Sequence, residues 1–301
     1  MSRVPTLFMN KITVLDFAAL LPDSMPIGFS FYVDVRLGGA QDSDGILMDF
    51  GLAKKALKEF LDRFYDHCLY VHKGQVSQGQ TGEVVYVRQK SDSDLFLMRC
   101  PNSAVQVVPL TILEDLSQGK LDTLEKHLEE KALPILPSNV LQLKIKLYPH
   151  EKSSDENFFS YTHSLKFHYG NCQRFHGHSN VVEVYSQGNL DFPLSQKAAR
   201  LLDKTYLIDG TYLTQEFHPE KWGLLGESWT QMMEKEPHLF VEYSGNQGEF
   251  GLVLPKRMVQ LMPSESSIEN ISQYVFNRLR LDPQVHQVFC YEGLQKGAIF
   301  P

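Results

Sequence analysis

Apolar and polar positions follow two periods along this chain, and each period predicts an element. Over Gly51–His67 the residues Leu52, Ala56, Leu57, Phe60, Leu61 and Phe64 fall on one stripe, which predicts an amphipathic helix. Leu113–Lys131 predicts a second helix. Ile268, Ile271, Val275 and Leu279 share one face of a third, over Ser267–Leu279. Period-two alternation predicts half-buried strands over Asn10–Leu20, Ser30–Leu37 and Leu141–Tyr148. The class expected is α+β, with antiparallel sheets and helices packed on one face.

The pattern also repeats. Gly28–Gly39 (GFSFYVDVRLGG) resembles Gly177–Gly188 (GHSNVVEVYSQG), and Leu95–Ser117 resembles Phe250–Ser272 in the same order. The period is roughly half the chain. Pro193–Lys204 predicts a helix without a twin in the first half, and the counterpart of the Gly51–His67 helix is hard to place. The polar stretch His150–Asn157 reads as a linker. The boundary falls near residue 152, giving expected domains 1–152 and 153–301.

Composition narrows the class. The chain has 301 residues, 43% apolar and 22% charged, which suits two soluble globular domains. It holds no membrane-length apolar run and no signal-peptide pattern. Its four cysteines lack paired spacing, so neither a disulfide framework nor a four-cysteine metal site is expected, and a cytoplasmic location is. A net charge of −7 argues against a nucleic-acid partner.

The densest chemical run is His163 to His178. His176 and His178 are two apart at the head of a strand pattern, so they share a face. His163 ends the preceding strand pattern, and an antiparallel neighbour would bring it alongside. Three histidines leave a fourth tetrahedral position open, the catalytic form of a zinc site; the plainer reading is core or surface histidines. Cys172 is open to four roles: ligand, nucleophile, base or inert thiol.

Here the sequence resembles the 6-pyruvoyltetrahydropterin and 6-carboxytetrahydropterin synthase family. Phe159-Ser160-Tyr161-Thr162-His163 resembles that family's Phe-Ser-Ala-Ala-His strand end, and Cys172-Gln-Arg-Phe-His176-Gly177-His178 its C-x-x-x-H-G-H signature. The resemblance implies zinc on His163, His176 and His178, with Cys172 catalytic. A second hallmark lies in the first half: Gly45-Ile-Leu-Met-Asp49-Phe50 leads into a helix ending Tyr65-Asp66-His67. It implies that Asp66 and His67 are an acid–base pair. Ser267-Ile-Glu269-Asn270 and Glu292 are similar to the family's pterin-binding residues, with Ser where the family has Thr. Glu292 is implied to anchor the pterin by accepting two parallel N–H donors. Ser267 and Glu269 are implied ring contacts, or else helix caps.

Read against each other, the halves divide the motifs. The first has Leu20 for His163, Ile27-Gly28-Phe29 for His176-Gly-His178, and Asp23 near the place of Cys172. The second has no Asp-His; its matching strand is taken as Tyr206–Asp209, and His218 does not fit. The expectation is two tandem tunnelling-fold copies completing one site. The resemblance implies a zinc-dependent lyase converting 7,8-dihydroneopterin triphosphate to 6-carboxy-5,6,7,8-tetrahydropterin, as in queuosine biosynthesis. A pyruvoyl-type reaction and a non-catalytic pterin-binding or assembly protein are the alternatives. Lys166, Arg174, Lys256 and Arg257 are candidate triphosphate contacts or solvated charge. A ring-like homo-oligomer is expected because single units leave sheet edges unpaired.

Overall fold

The computed structural model describes residues 4–22, 24–79, 82–90, 95–150, 157–214, 237–279 and 285–301. Asp23, His218 and the centre of the expected linker (151–156) lie outside the described residues.

The first half runs β1 (Thr6–Ala19), β2 (Ile27–Gly39), α1 (Phe50–Phe64), β3 (Leu69–Val71), β4 (Val76–Gln78), β5 (Val84–Lys90), β6 (Leu95–Pro101), β7 (Val105–Val107), α2 (Leu110–Ser117), α3 (Asp122–Ala132) and β8 (Val140–Tyr148). The second runs β9 (Phe158–His163), β10 (His176–Ser186), β11 (Asn189–Leu190), α4 (Phe192–Leu202), β12 (Thr205–Asp209), β13 (Leu213–Thr214), β14 (His238–Gly245), β15 (Gly248–Pro255), β16 (Val259–Met262), α5 (Ile268–Leu279), β17 (Val285–Tyr291) and β18 (Gly297–Phe300).

Strand order repeats between the halves. One sheet is β7-β3-β1-β2-β8, and another is β16-β12-β9-β10-β17-β18. Both are mixed, not antiparallel as expected: β3 runs parallel to β1 and β7, and β12 parallel to β9 and β16. In each half a helix follows the opening hairpin and returns the chain to the hairpin's far edge, which makes the third strand parallel. That position makes α4 the twin of α1, correcting the reading of Pro193–Lys204 as an unmatched helix. Both carry an aspartate N-cap: Asp49 accepts from the Leu52 amide at 2.9 Å, and Asp191 from the Leu194 amide at 3.0 Å. The Tyr206–Asp209 strand therefore answers to β3 and not to the Gly45–Phe50 stretch. The expected helix Leu113–Lys131 is two helices, broken around Gly119 at φ +72°, a backbone that glycine adopts without a Cβ penalty.

The third sheet, β13-β14-β15-β6-β5-β4, takes strands from both halves. Its central pairs are Leu97↔Val253, Met98↔Leu252 and Arg99↔Gly251. One apolar cluster lies in each half, and a third joins Ala18, Leu20, Leu69 and Val71 of the first half to Phe175, Tyr206 and Ile208 of the second. Among the described residues no helix is long and apolar enough to cross a membrane.

The two opening hairpins meet at their closest point through glycine. A Cβ on Gly28 would lie 2.3 Å from the Tyr161 carbonyl oxygen, and one on Gly177 would lie 2.5 Å from the Gly28 Cα. Without those side chains the backbones of β2 and β10 come together, and this contact places the residues described next.

Candidate active site

His163, His176 and His178 meet because β9 and β10 pair antiparallel with His176 opposite His163. All three are fully buried. The His163 Nδ1 lies 3.0 Å from the Ser266 carbonyl oxygen, and the His176 Nδ1 lies 2.8 Å from that of Arg174. A carbonyl oxygen only accepts, so both rings carry the proton on Nδ1 and present an Nε2 lone pair. The His178 Nδ1 lies 3.2 Å from the Asp16 carboxylate, within ion-pair distance but outside hydrogen-bond geometry.

Ligand atoms of His67, His176 and His178 lie within 4.8 Å of one another, and so do those of His163, His178 and Glu292, so the histidines form two overlapping groups that share His178. The Nε2 atoms of His163 and His178 stand 3.1 Å apart, and that of His176 is buried with no hydrogen-bond partner. Facing lone pairs and an orphaned buried acceptor are costly in the bare protein. A tetrahedral cation with nitrogen bonds of roughly 2.0–2.1 Å separates two ligands by about 3.3 Å. The donor set therefore fits a divalent cation of the zinc type. Burial pushes the pKa of His163 and His176 well below the ordinary value, aided by the neighbouring imidazoles, so both stay neutral and able to ligate.

Asp66 and His67 enter from the first half. Helix α1 ends before them, and His67 sits at φ +51°, a left-handed backbone uncommon for a non-glycine residue. Asp66 holds the His67 Nδ1 in a short hydrogen bond. The Asp66 Oδ1 also accepts the Asp16 amide at 2.8 Å, and the His67 amide donates to the Asp16 carbonyl at 2.7 Å. The His67 ring packs on His176 with centroids 4.4 Å apart. Burial opposes charge on His67, but Asp66 and the adjoining Cys172 outweigh it and raise its pKa well above the ordinary value. That sets it apart from His163 and His176, whose values are lowered.

Cys172 touches His67 from the other side. Two of the bonds that pin its loop are the Leu165 amide donating to the Cys172 carbonyl at 3.0 Å and the Asn171 side-chain amide donating to the Asp62 carbonyl at 2.8 Å. The second bond ties the loop to helix α1 of the other half. Glu292 follows β17 and brings a carboxylate oxygen within 4.8 Å of ligand atoms of His163 and His178. One cluster thus carries four imidazoles, a thiol and three carboxylates, drawn from both halves.

Ser267 is half-buried before α5 and Glu269 is exposed on its first turn; the neighbour whose carbonyl reaches His163 is Ser266. Arg174 is not surface charge. It is buried, and both Nε and a terminal nitrogen donate to the Gln247 side-chain oxygen, at 3.2 and 3.1 Å. Two residues of the site escaped sequence reasoning. Asp16 is the one acidic residue of β1 and interrupts the apolar run that ends it, which was the available signal. Lys296 sits four residues after Glu292 and 3.7 Å from it. Burial opposes its charge, but Glu292, Asp16, Cys172 and Asp66 raise its pKa.

The pairing registers also locate the counterparts in the other half. Ala19 faces Ile27 as His163 faces His176, so Ala19, not Leu20, stands at the place of His163. Asp203 and Lys204 stand at the place of Asp66 and His67. Asp203 accepts the Ser160 amide at 3.0 Å, the Lys204 amide donates to the Ser160 carbonyl at 2.6 Å, and Lys204 has φ +56°. The backbone motif is kept in both halves while the imidazole occurs in one.

The chain is thus of the α+β class, with buried histidines set against a Cys–His–Asp cluster. The model of the 6-pyruvoyl tetrahydropterin synthase family matches residues 152–301, and through that second half the chain belongs to this family. Among solved structures it is similar to 6-pyruvoyltetrahydropterin synthase from Plasmodium vivax (14% identity, TM-score 0.29) and from Plasmodium falciparum (14% identity, TM-score 0.31); each match covers 49% of this chain and 99% of that one. No curated protein matches.

Proposed function

We propose that this chain is a zinc-dependent lyase built from two tandem tunnelling-fold copies, domains 1–152 and 153–301, that share one site. The observation carrying this reading is a buried histidine cluster of the second half, with the Nε2 atoms of His163 and His178 facing each other and that of His176 orphaned, set against an Asp66–His67 pair from the first. The substrate class is a 7,8-dihydropterin with a hydroxylated side chain, and the reaction is the conversion of 7,8-dihydroneopterin triphosphate to 6-carboxy-5,6,7,8-tetrahydropterin. Support for that member of the family is the three-residue gap between Cys172 and His176.

Zinc on His163, His176 and His178 would supply Lewis acidity toward the side-chain hydroxyls. Glu292 would accept the two parallel N–H donors of the pterin, fixing the ring. Cys172 and His67 would pass a proton between them and the substrate, with Asp66 holding the His67 tautomer. Ser267 and Glu269 would border the ring, and Lys296 would balance the charge of Glu292. Copies of the chain would associate through the open sheet edges of β8 and β18 into a ring.

The test is to incubate the zinc-loaded chain with 7,8-dihydroneopterin triphosphate and identify the pterin by mass. A carboxytetrahydropterin with released acetaldehyde supports the assignment. A pyruvoyl product moves it to the sister reaction. Unchanged substrate with zinc bound removes the lyase reading.

A further inference from the structure

Asp16 and Ser160 occupy the same place in the two halves. The Asp16 amide donates to Asp66 at 2.8 Å and its carbonyl accepts the His67 amide at 2.7 Å. The Ser160 amide donates to Asp203 at 3.0 Å and its carbonyl accepts the Lys204 amide at 2.6 Å. The side chains then part. The Ser160 hydroxyl accepts from the Gly28 amide at 2.9 Å and donates to the Gly28 carbonyl at 2.8 Å, so both of these bonds go to backbone groups. The Asp16 carboxylate instead accepts a hydrogen bond from the Ser30 hydroxyl and stands 3.2 Å from the Nδ1 of His178. The residue of the first half that answers to His178 is Phe29, which has no ring nitrogen. Where an imidazole stands across the junction the chain carries a carboxylate; where a phenyl ring stands it carries a hydroxyl.

A junction alone does not need that carboxylate. Asp16 is 2% exposed, and a buried carboxylate is unfavourable unless it is paired. The turn after β17 also makes room for it: a Cβ on Gly293 would lie 2.6 Å from the Asp16 Oδ2.

We propose that Asp16 is the positioning residue that joins the two parts of the site. Its carboxylate holds His178 with the proton on Nδ1 and Nε2 turned to the cation, and its backbone holds Asp66 and His67 opposite. A carboxylate behind a ligating imidazole fixes the ring and raises its basicity. The first half thereby sets the affinity of a metal site whose ligands all lie in the second. This rests on the reading of the three histidines as metal ligands.

The test measures metal binding by the full chain. Zinc affinity is taken from competition with a chromophoric chelator, and site geometry from the absorption of the cobalt-substituted protein. Asp16→Ser, the residue of the other half, should weaken zinc by about 10–100-fold and shift the cobalt bands. Asp16→Asn, isosteric and still an acceptor, should lose less, and it keeps the test open if Asp16→Ser unfolds. Ser160→Ala breaks the equivalent junction without touching His178, and should lower Tm while leaving zinc affinity and the cobalt spectrum unchanged. Wild-type affinity in both Asp16 variants overturns the proposal, as does an equal loss in Ser160→Ala. Wild-type protein that takes up no metal overturns the histidine reading and this proposal with it.

Discussion

Ser30 and Ser179 exchange the same hydrogen bond across the junction of the two halves. The Ser30 amide donates to the Ser179 hydroxyl at 3.0 Å, and the Ser179 amide donates to the Ser30 hydroxyl at 3.1 Å. Each is two residues past a junction glycine, Gly28 or Gly177, so the exchange is near-symmetric about the contact. Both serines are buried, and unpaired amides there would be costly. The junction is therefore a backbone-level lock, and it sets His178 against Asp16 with little freedom to slide.

Gly28→Ala should break that lock. The added methyl would meet the Tyr161 carbonyl at 2.3 Å and the His178 amide at 2.5 Å, and neither is a flexible side-chain end. Overpacking of this kind costs about 1–3 kcal/mol, and the backbone contact places this case at the upper end. Urea unfolding should show a lowered midpoint, and metal uptake should fall with it because His178 shifts. An unchanged midpoint would mean that the hairpins do not approach this closely in solution.

His67→Asn should separate catalysis from metal binding. The ring contacts Cys172 and lies outside the three-histidine set, so zinc content should match wild type while turnover of 7,8-dihydroneopterin triphosphate falls by about 10²–10⁴-fold. Loss of zinc in this variant would make His67 a ligand, the arrangement also permitted by its closeness to His176 and His178.

Much of this was legible in the sequence. Alternation located β1, β2 and β8, and the apolar stripe located α1, because one buried face forces each period. The histidine cluster was legible because its three members lie within sixteen residues of each other on two paired strands. What was not legible depended on pairing register or on length. The twin of α1 was missed because α4 spans 11 residues against 15, which hides the matching Met48-Asp49-Phe50 and Leu190-Asp191-Phe192 starts. The counterpart of His163 was read one residue late, since a strand's register is set by its partner. Asp203–Lys204 as the mate of Asp66–His67 shows only in the shared hydrogen bonds and the left-handed backbone.

Glu292→Gln should act on substrate binding more than on turnover. The amide keeps the shape but loses the charge and one of two acceptors. A hydrogen bond to a charged group contributes roughly 1.5–3 kcal/mol, so KM for the pterin should rise by about 10–100-fold with a smaller change in kcat. Zinc content should stay near wild type. A fall in kcat with KM unchanged would place Glu292 in proton transfer and not at the ring.

Acid should destabilise the metal-stripped protein through His163 and His176. Both have folded pKa values well below the ordinary 6.5, chiefly because of burial. The unfolded chain therefore binds more protons than the folded one below pH 6.5, and stability falls as pH drops through that range. Each group contributes up to about 1.4 kcal/mol per pH unit. His67 works in another window. Its pKa is raised in the folded state, so its contribution is complete below 6.5 and is lost as pH rises above it. The chelator-treated protein should thus lose Tm steeply between pH 6.5 and 5, and His163→Leu should flatten that limb by about half while leaving the alkaline side unchanged. An acid limb equally steep in His163→Leu would mean that other groups carry it.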